Sequence, residues 1–301
     1  MYAQDPVSVG FPAAIATLMP RKKFILKIVG DYAWEQGMQR FGVTELLDDF
    51  LQKSYAWPVE ALRTIERFVA RRAARIVVPS NYLKTVVAQW SIAKEKITVI
   101  PNSFEMPERI VTYEEARKLL GLNGSVIVSA GRFVPWKGFI VLIDAVAELA
   151  GKGRQLSLII IGSGPMEKEL QERISVLGVE SYIRIVGQIA HEEMLAYLAA
   201  ADVFVLHTGY EGFSHALLEA MAMGALVLTT AVGGNTELIT NGENGFLMEY
   251  NNKGELVSAI ASVLDMPVQE RRRLALQAHV TAQQFTVARM VHKTAEFLKD
   301  C

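Results

Sequence analysis

This chain of 301 residues has one cysteine, no long apolar run and almost no net charge. Its one cysteine, Cys301, has no second cysteine to pair with. An internal disulfide is therefore excluded, and a reducing, cytoplasmic setting is expected. No uninterrupted apolar run of about 18 residues occurs, so the sequence predicts no transmembrane segment. The net charge of −1 gives no reason to expect a nucleic-acid partner.

The charge is unevenly distributed along the chain. Residues 1–105 contain 14 Lys and Arg against 10 Asp and Glu, a balance of +4, whereas the remainder contains 17 against 22, a balance of −5. The basic runs Arg21–Lys23 and Arg71–Arg75 fall in the first part. Such runs are typical of solvated surfaces. The other hypothesis is that they contact an anionic membrane, which would place the protein at the inner membrane surface.

Short apolar runs that alternate with amphipathic segments are abundant. Residues 23–30 and 75–80 are predicted strands, and residues 59–73 between them are a predicted helix. A second alternating set begins at Ser125. Alternation of this kind indicates parallel strands covered on both faces. The sequence therefore predicts an α/β protein of two doubly wound, Rossmann-like lobes, over residues 1–105 and 106–283, with a closing helix over 284–301.

The first lobe is expected to be incomplete. It supplies about four predicted strands, and a doubly wound lobe typically has five or six. The chain opens with the pattern of a strand end followed by a helix over residues 1–10. The second lobe has enough strands and helices to form a complete sheet.

Two cations follow the first strand of the second lobe. Ligands of open parallel sheets bind at the carboxyl ends of the strands. Arg132 and Lys137 lie in the loop there, with Gly131 and Gly138 allowing close backbone approach. The pair could hold a diphosphate or could be solvated loop charges. Gly162, in the turn after the next strand, is a weaker signal of the same kind.

Two glutamates flank the start of an unusually apolar helix. Glu211 precedes the helix, Ser214 is its predicted N-cap, and Glu219 lies within it among apolar neighbours. Free amide groups at a helix start favour an anion. Cations, helix amides and two carboxylates suit a ligand with phosphates between two sugars, which is a nucleotide sugar. The alternative makes Glu211 a loop charge and Glu219 an ordinary helix-surface charge.

These motifs also occur in the order and spacing of a known family. GRFVPWKG, IIIGSGP, EGFSHALLE and VGGNTELITNGENGFL follow one another in the second half of the chain. The chain resembles glycosyltransferase family 4, the group 1 glycosyltransferases, whose fold is GT-B. The resemblance covers the whole chain and is most specific between Ile97 and Leu247.

The resemblance implies retaining transfer of a sugar from a nucleotide-sugar donor to a sugar acceptor, with no cofactor and no required metal. It implies that Arg132 and Lys137 contact the diphosphate, Glu219 the ribose and Glu211 the transferred sugar. The base would lie against residues 186–189, which end at Ile189. The closing helix would return to the first lobe. Further donor contacts would come from Gly212, Phe213, Ser214, His215 and Leu217.

The chain departs from the family pattern in the first lobe. Nothing matches the family's first strand and Gly-rich loop, so an N-terminal segment of the family is expected to be absent. Where members carry a His after a strand, this chain has GDYAW, and Asp31 is the nearest candidate for that catalytic role. Trp34, in the same stretch, is either a sugar-stacking surface or a packing residue. His207 and Thr208 replace a common Pro-Ser.

Other functions stay open from the sequence. One is a different enzyme on the same fold, such as a sugar-nucleotide epimerase or a phosphorylase. Another is a chain that binds nucleotide sugars without turnover, because its acceptor lobe is incomplete. The five histidines form no ligand set with standard spacing, so no metal site is predicted.

Overall fold

Two units share the chain, which passes between them more than once. The computed structural model describes residues 1–18, 22–106 and 111–299. Unit 1 comprises the described residues of Met1–Asn102, Tyr210–Phe213 and Val287–Cys301, and unit 2 those of Ser103–Gly209 and Ser214–Thr286. The main boundaries therefore follow Asn102 and Thr286, against the predicted 105 and 283. The assignment of residues 210–213 to unit 1 has no counterpart in the predicted boundaries.

The described part of unit 1 forms a sheet of four short parallel strands, in the sequential order β1-β2-β3-β4. Among these strands the order does not reverse. The strands are β1 (Tyr2–Gln4), β2 (Ile25–Lys27), β3 (Arg75–Val78) and β4 (Ile97–Val99). The first helices of the unit are α1 (Gly10–Ala16), α2 (Tyr32–Arg40), α3 (Leu47–Leu51), α4 (Trp57–Arg72) and α5 (Asn81–Gln89).

The helix starts in unit 1 follow from local side chains. Asp31 caps α2 by accepting a hydrogen bond from the backbone of Trp34, and Ser80 caps α5 by accepting one from Leu83. Helix α4 has a proline in its first turn, and two basic residues, Arg71 and Arg72, in its last turn. Both features suit the orientation of the helix macrodipole and its unsatisfied end groups.

The described part of unit 2 forms a six-stranded parallel sheet in the order β10-β9-β8-β5-β6-β7. The strands are β5 (Ser125–Ala130), β6 (Leu156–Ile161), β7 (Ile183–Gly187), β8 (Val203–Leu206), β9 (Val227–Thr230) and β10 (Phe246–Met248). The helices are α6 (Tyr113–Leu120), α7 (Phe139–Gly151), α8 (Glu167–Leu177), α9 (His191–Ala200), α10 (His215–Ala222), α11 (Lys253–Asp265) and α12 (Val268–Ala282).

The strand order of unit 2 reverses between β5 and β8. This is the doubly wound order in which ligands bind at the reversal point. The α/β class and the two parallel-sheet lobes predicted from the sequence are confirmed. Strand β10 and helices α11 and α12 have no individual counterpart among the predicted elements.

The closing helix, α13 (Val287–Lys299), belongs to unit 1. Phe297 is buried against Ile25, Val77 and Ile100, which come from β2, β3 and the end of β4. The guanidinium of Arg75 lies 5.2 Å from the centre of the Phe297 ring. The chain therefore returns to the sheet with which it began.

None of the helices in the described part of the chain is both long and apolar enough to span a membrane. The basic run at 71–75 lies at the end of α4, where Arg71 is exposed. In the other run, Lys22 and Lys23 are exposed and Arg21 lies outside the described residues. Cys301 also lies outside them.

Candidate donor site in unit 2

The predicted cation loop begins where the strand order reverses. Arg132 lies two residues after the end of β5 and is exposed. Lys137 ends a 3-10 turn, Pro135–Lys137, and is half-buried. Between them, Phe133 is fully buried and packs edge-on against Phe139 at 5.2 Å between ring centres. The buried side chain of Phe133 holds the loop against the core, so the backbone that carries Arg132 and Lys137 is fixed.

Glycines let the loops after β5 and β6 pack against each other. A Cβ on Gly162 would lie 1.9 Å from the carbonyl oxygen of Gly131, and one on Gly164 would lie 2.5 Å from the carbonyl oxygen of Phe133. The amide of Phe133 also donates to the carbonyl oxygen of Ser163 at 2.9 Å. Gly162 thus has a packing reason to be glycine, and its contact with a ligand stays a prediction.

The loop after β8 is hydrogen-bonded to the cation loop. The amide of Gly209 and the hydroxyl of Thr208 both donate to the carbonyl oxygen of Trp136, at 2.7 and 3.1 Å. Gly138 has φ +58°, and a Cβ there would lie 2.1 Å from the carbonyl oxygen of His207. The two loops that flank the order reversal therefore form one tightly packed surface.

His207 is buried at the end of β8. Its Nε2 accepts a hydrogen bond from the backbone of Asn251 at 3.1 Å, and its ring stacks on Tyr250. Within the described residues its Nδ1 has no hydrogen-bond partner. Burial lowers the pKa of His207 from 6.5 to about 4, so the ring is neutral at neutral pH. His207 is therefore a neutral interior residue that links the end of β8 to the backbone at Asn251.

Helix α10 begins at the predicted residue. The Ser214 hydroxyl caps it by accepting the amide hydrogen of Leu217 at 3.3 Å, and the side chain of His215 is exposed. A helix start has more backbone donors than one cap can satisfy. The first turn of α10 is therefore suited to an anion, as predicted from the sequence.

Glu219, on α10, has a partner that sequence reasoning missed. His191 Nε2–H donates to Glu219 Oε1 at 3.0 Å. His191 is the first residue of α9, two positions after half-buried Ile189 in the predicted base-binding stretch. The contact therefore brings the predicted ribose-binding carboxylate next to the predicted base-binding segment. A histidine just after the β7 turn was the available signal, but sequence spacing alone does not show its contact.

The segment with Glu211 belongs to unit 1. Asn102 Nδ2 donates to the carbonyl oxygen of Phe213 at 3.3 Å, and both residues are buried. A Cβ on Gly212 would lie 2.6 Å from the carbonyl oxygen of Val29. Glu211, which precedes Gly212, is half-buried. Close backbone packing thus explains why residue 212 is glycine, and Asn102 holds the backbone at Phe213. The ligand contacts predicted for Glu211, Gly212 and Phe213 stay predictions.

Asp31 and Trp34 are interior residues of unit 1. Trp34 is fully buried, its indole N–H donates to the carbonyl oxygen of Glu45 at 2.8 Å, and its ring lies 4.8 Å from that of Tyr210. It is a packing residue, and the alternative of a sugar-stacking surface is wrong. Asp31 is 1% exposed and caps α2. Its catalytic role stays a prediction, to which these contacts add no support.

A second buried carboxyl lies beside Asp31. Glu66 accepts hydrogen bonds from the amides of Tyr32 and Ala33, at 2.7 and 3.3 Å. Burial raises the pKa of Asp31 from 3.8 to about 6. Burial and the charge of Asp31 raise the pKa of Glu66 well above its usual range. Unit 1 therefore holds an acid pair whose charge its surroundings disfavour.

Across residues 1–18, 22–106 and 111–299, no three His, Cys, Asp or Glu side chains are grouped so that they could hold a metal ion.

Two family models match the chain. Glycosyl transferases group 1 matches residues 113–280, which is more than half of the chain, and Glycosyltransferase Family 4 matches residues 41–106. The first match contains the cation loop, His191 and α10. The second lies within unit 1 and the start of unit 2.

Named relatives match over part of their own length. The 2-deoxystreptamine glucosyltransferase of Streptomyces kanamyceticus is 28% identical over 74% of this chain and 59% of its own. The lipopolysaccharide core biosynthesis glycosyltransferase LpsE of Rhizobium meliloti is 32% identical over 62% of this chain and 53% of its own. The D-inositol 3-phosphate glycosyltransferase of Corynebacterium efficiens is 30% identical over 76% of this chain and 57% of its own. The chain thus spans somewhat more than half the length of these relatives.

Solved structures of similar fold cover nearly the whole chain. Anabaena HepE in complex with UDP-glucose has a TM-score of 0.78 at 25% identity, covering 96% of this chain and 75% of HepE. Sucrose-phosphate synthase from Thermosynechococcus elongatus has a TM-score of 0.81 at 21% identity, covering 99% and 72%. The second likeness shows the fold alone. Together with the family match, these findings show that the chain is a member of the group 1 glycosyltransferases and has the GT-B fold.

Proposed function

We propose that this chain is a retaining glycosyltransferase that takes a sugar from a nucleotide-sugar donor, held mainly by unit 2, and transfers it to an acceptor. One observation carries the proposal: the loops after β5 and β8, which flank the order reversal, are joined through the carbonyl oxygen of Trp136. Strand-order reversals are where doubly wound sheets bind nucleotides. The likeness to HepE, whose structure was solved with UDP-glucose, supports the same ligand class.

In the proposed complex each part of the donor has its own partner. Arg132, Lys137 and the first turn of α10 hold the diphosphate, since cations and helix amides both favour an anion. Glu219 accepts hydrogen bonds from the ribose hydroxyls. The backbone of residues 186–189 contacts the base. Glu211 contacts hydroxyls of the sugar to be transferred.

The proposed reaction exchanges one bond at the anomeric carbon for another. The bond to the leaving phosphate oxygen breaks, and a bond to the acceptor oxygen forms on the same face of the sugar. Negative charge grows on the leaving diphosphate, where Arg132, Lys137 and the α10 amides stabilise it. The acceptor's proton passes to the leaving phosphate. Every group that neutralises charge in this scheme belongs to the chain or to the donor.

Transfer can be separated from the other activities by its product. A glycosylated acceptor with conserved anomeric configuration supports the proposal, whereas an isomerised donor identifies an epimerase, and sugar phosphate formed with inorganic phosphate identifies a phosphorylase. Tight binding without any of these products identifies a chain that binds donors without turnover.

The test is calorimetric titration of UDP, GDP, ADP and their glucose conjugates into the chain. Arg132→Ala and Glu219→Ala each remove a charge-assisted contact, so affinity should fall about ten- to a hundredfold for the nucleotide that binds. Arg154→Ala and Glu172→Ala are matched controls in unit 2. Arg154 pairs with Asp265, and Glu172 pairs with Lys168 on the helix surface. Equal losses in variants and controls, or no binding by folded protein, would reject the proposed donor site.

Cytoplasmic location with contact to a membrane surface is also proposed, through unit 1. Helix α1 and its flanks carry exposed Val9, Phe11, Ile15 and Leu18, and Lys22, Lys23 and Arg71 are also exposed in this unit. Apolar and basic side chains together favour an anionic bilayer. The chain should therefore sediment with anionic vesicles more than with zwitterionic ones, and Lys22→Glu with Arg71→Glu should reduce this. Equal sedimentation with both vesicle types would reject membrane contact.

A further inference from the structure

The contact between His191 and Glu219 joins two helices of unit 2. Glu219 is largely buried, with 15% of its side chain exposed, whereas 52% of the His191 side chain is exposed. The acceptor is a carboxylate, so the histidine must be the donor, with a proton on Nε2. One oxygen of Glu219 is therefore held by the first residue of α9, and the second oxygen is not part of this contact.

A carboxylate that binds sugar hydroxyls must present its free oxygen in a fixed direction. A glutamate side chain has three rotatable bonds, so an unheld carboxylate loses entropy when it binds. A hydrogen bond from a neighbouring helix removes much of that freedom before the ligand arrives. His191 also follows the stretch proposed to contact the base. Its hydrogen bond therefore fixes the position of the Glu219 carboxylate relative to that stretch.

We infer that His191 is a positioning residue that orients Glu219 towards the ribose hydroxyls of the donor and so makes the site selective for nucleotides with an intact ribose diol. The inference rests on the proposed function, because it assigns Glu219 to the ribose. The energetic effect of His191 passes through Glu219 and requires no contact between His191 and the ligand.

The experiment titrates two probes into four proteins: the unaltered chain, His191→Ala, His191→Gln and Glu219→Gln. The probes are UDP and 2′,3′-dideoxy-UDP, replaced by the matching guanosine or adenosine pair if the unaltered chain binds GDP or ADP instead. His191→Ala should weaken UDP binding about three- to tenfold, the range of one lost hydrogen bond. It should leave the affinity for dideoxy-UDP unchanged, since that probe lacks both hydroxyls. His191→Gln should restore most of the UDP affinity, because the glutamine amide can donate from nearly the same position.

His292→Ala is the matched control. His292 also pairs with a glutamate, Glu296, at 3.2 Å, but on the exposed surface of α13 in unit 1. Its UDP affinity should equal that of the unaltered chain. Thermal unfolding of every variant checks that lost affinity is not lost structure.

The outcomes separate this inference from the proposed function. Unchanged or tighter UDP binding by His191→Ala, with weaker binding by Glu219→Gln, would overturn the positioning role and leave the donor site intact. Equal losses for UDP and dideoxy-UDP in His191→Ala would also overturn it, because the effect would not involve the ribose. If the unaltered chain bound neither UDP, GDP nor ADP, the proposed function would fail and take the inference with it.

Discussion

Unit 1 and unit 2 are built from the same strand–helix pattern, but they differ in what they bury. The buried acidic and basic side chains of unit 1 include Asp31, Arg63 and Glu66, whereas His207 is the buried side chain of this kind in the described part of unit 2. The other buried polar side chains of unit 2 are hydroxyls and amides such as Thr208, Thr229, Thr230 and Asn235. Unit 2 thus supports its loops with neutral groups, and unit 1 carries buried charge that depends on pH.

The sheets of the two units also differ, in strand length and in strand order. The described strands of unit 1 have three or four residues each and lie in sequential order, whereas β5 and β6 of unit 2 have six residues each and lie at or next to the order reversal. Longer strands bury more apolar surface and make more ladder hydrogen bonds. The comparison therefore predicts that unit 2, which carries most of the proposed donor site, is the more stable unit. Unit 1 should be less stable.

The largest expected effect comes from removing the ring that attaches α13 to unit 1. Phe297→Ala should lower the unfolding free energy of unit 1 by about 3 kcal/mol, because it leaves a cavity against Ile25, Val77 and Ile100. Hydrogen–deuterium exchange, read separately in the two units, measures this. Leu298→Ala is the control, since Leu298 is 44% exposed on the same helix. An equal loss of protection in unit 2 would show that the units do not respond separately.

A smaller effect is expected at the loop packing of unit 2. Gly138→Ala should lower the unfolding free energy of unit 2 by about 2–3 kcal/mol. A side chain strains the left-handed backbone at this position, and the new methyl group would meet the carbonyl oxygen of His207. Gly121→Ala, at a similar φ of +63° with nothing within 4 Å, should cost about 1 kcal/mol. Urea unfolding measures both. Equal losses of unfolding free energy in the two variants would mean that the carbonyl oxygen of His207 does not restrict residue 138.

The mildest effect is a response to pH with opposite sign in the two units. In unit 1, the pKa of Asp31 is raised to about 6, so the folded state binds more protons than the unfolded chain between about pH 4 and 6. Unit 1 should therefore lose stability as pH rises through this window. In unit 2, the pKa of His207 is lowered to about 4, so the unfolded chain binds more protons below pH 6.5. Unit 2 should lose stability as pH falls from 6.5.

Each group contributes at most about 1.4 kcal/mol per pH unit. Exchange protection of each unit, measured between pH 5.0 and 6.5 and corrected for the intrinsic rate, gives the slopes. Glu66→Gln should flatten the slope of unit 1, and His207→Gln should flatten that of unit 2. Slopes of the same sign in both units would contradict the contrast in buried charge.

The sequence predicted the parts of the fold that depend on pattern. Alternating apolar runs and helices were enough for two parallel-sheet lobes, and Ser214 was recognised as the cap of α10 because capping is local. Strand β10 does not follow from the pattern, because its three residues are too few to show a strand period. Roles that depend on distant contacts do not follow from local pattern. The sequence leaves Trp34 open between a sugar-stacking surface and the core, and nothing in it places His191 beside Glu219.

The measurement that tests the central claim most directly is hydrogen–deuterium exchange of the whole chain with and without saturating UDP. Binding at the order reversal of unit 2 predicts slower exchange in residues 131–138, 186–191 and 214–219, with Arg132→Ala and Glu219→Ala reducing the effect. Slower exchange confined to unit 1, or protection in unit 2 that both variants leave unchanged, would contradict the donor site. Protection of the three segments together would establish that unit 2 holds the nucleotide.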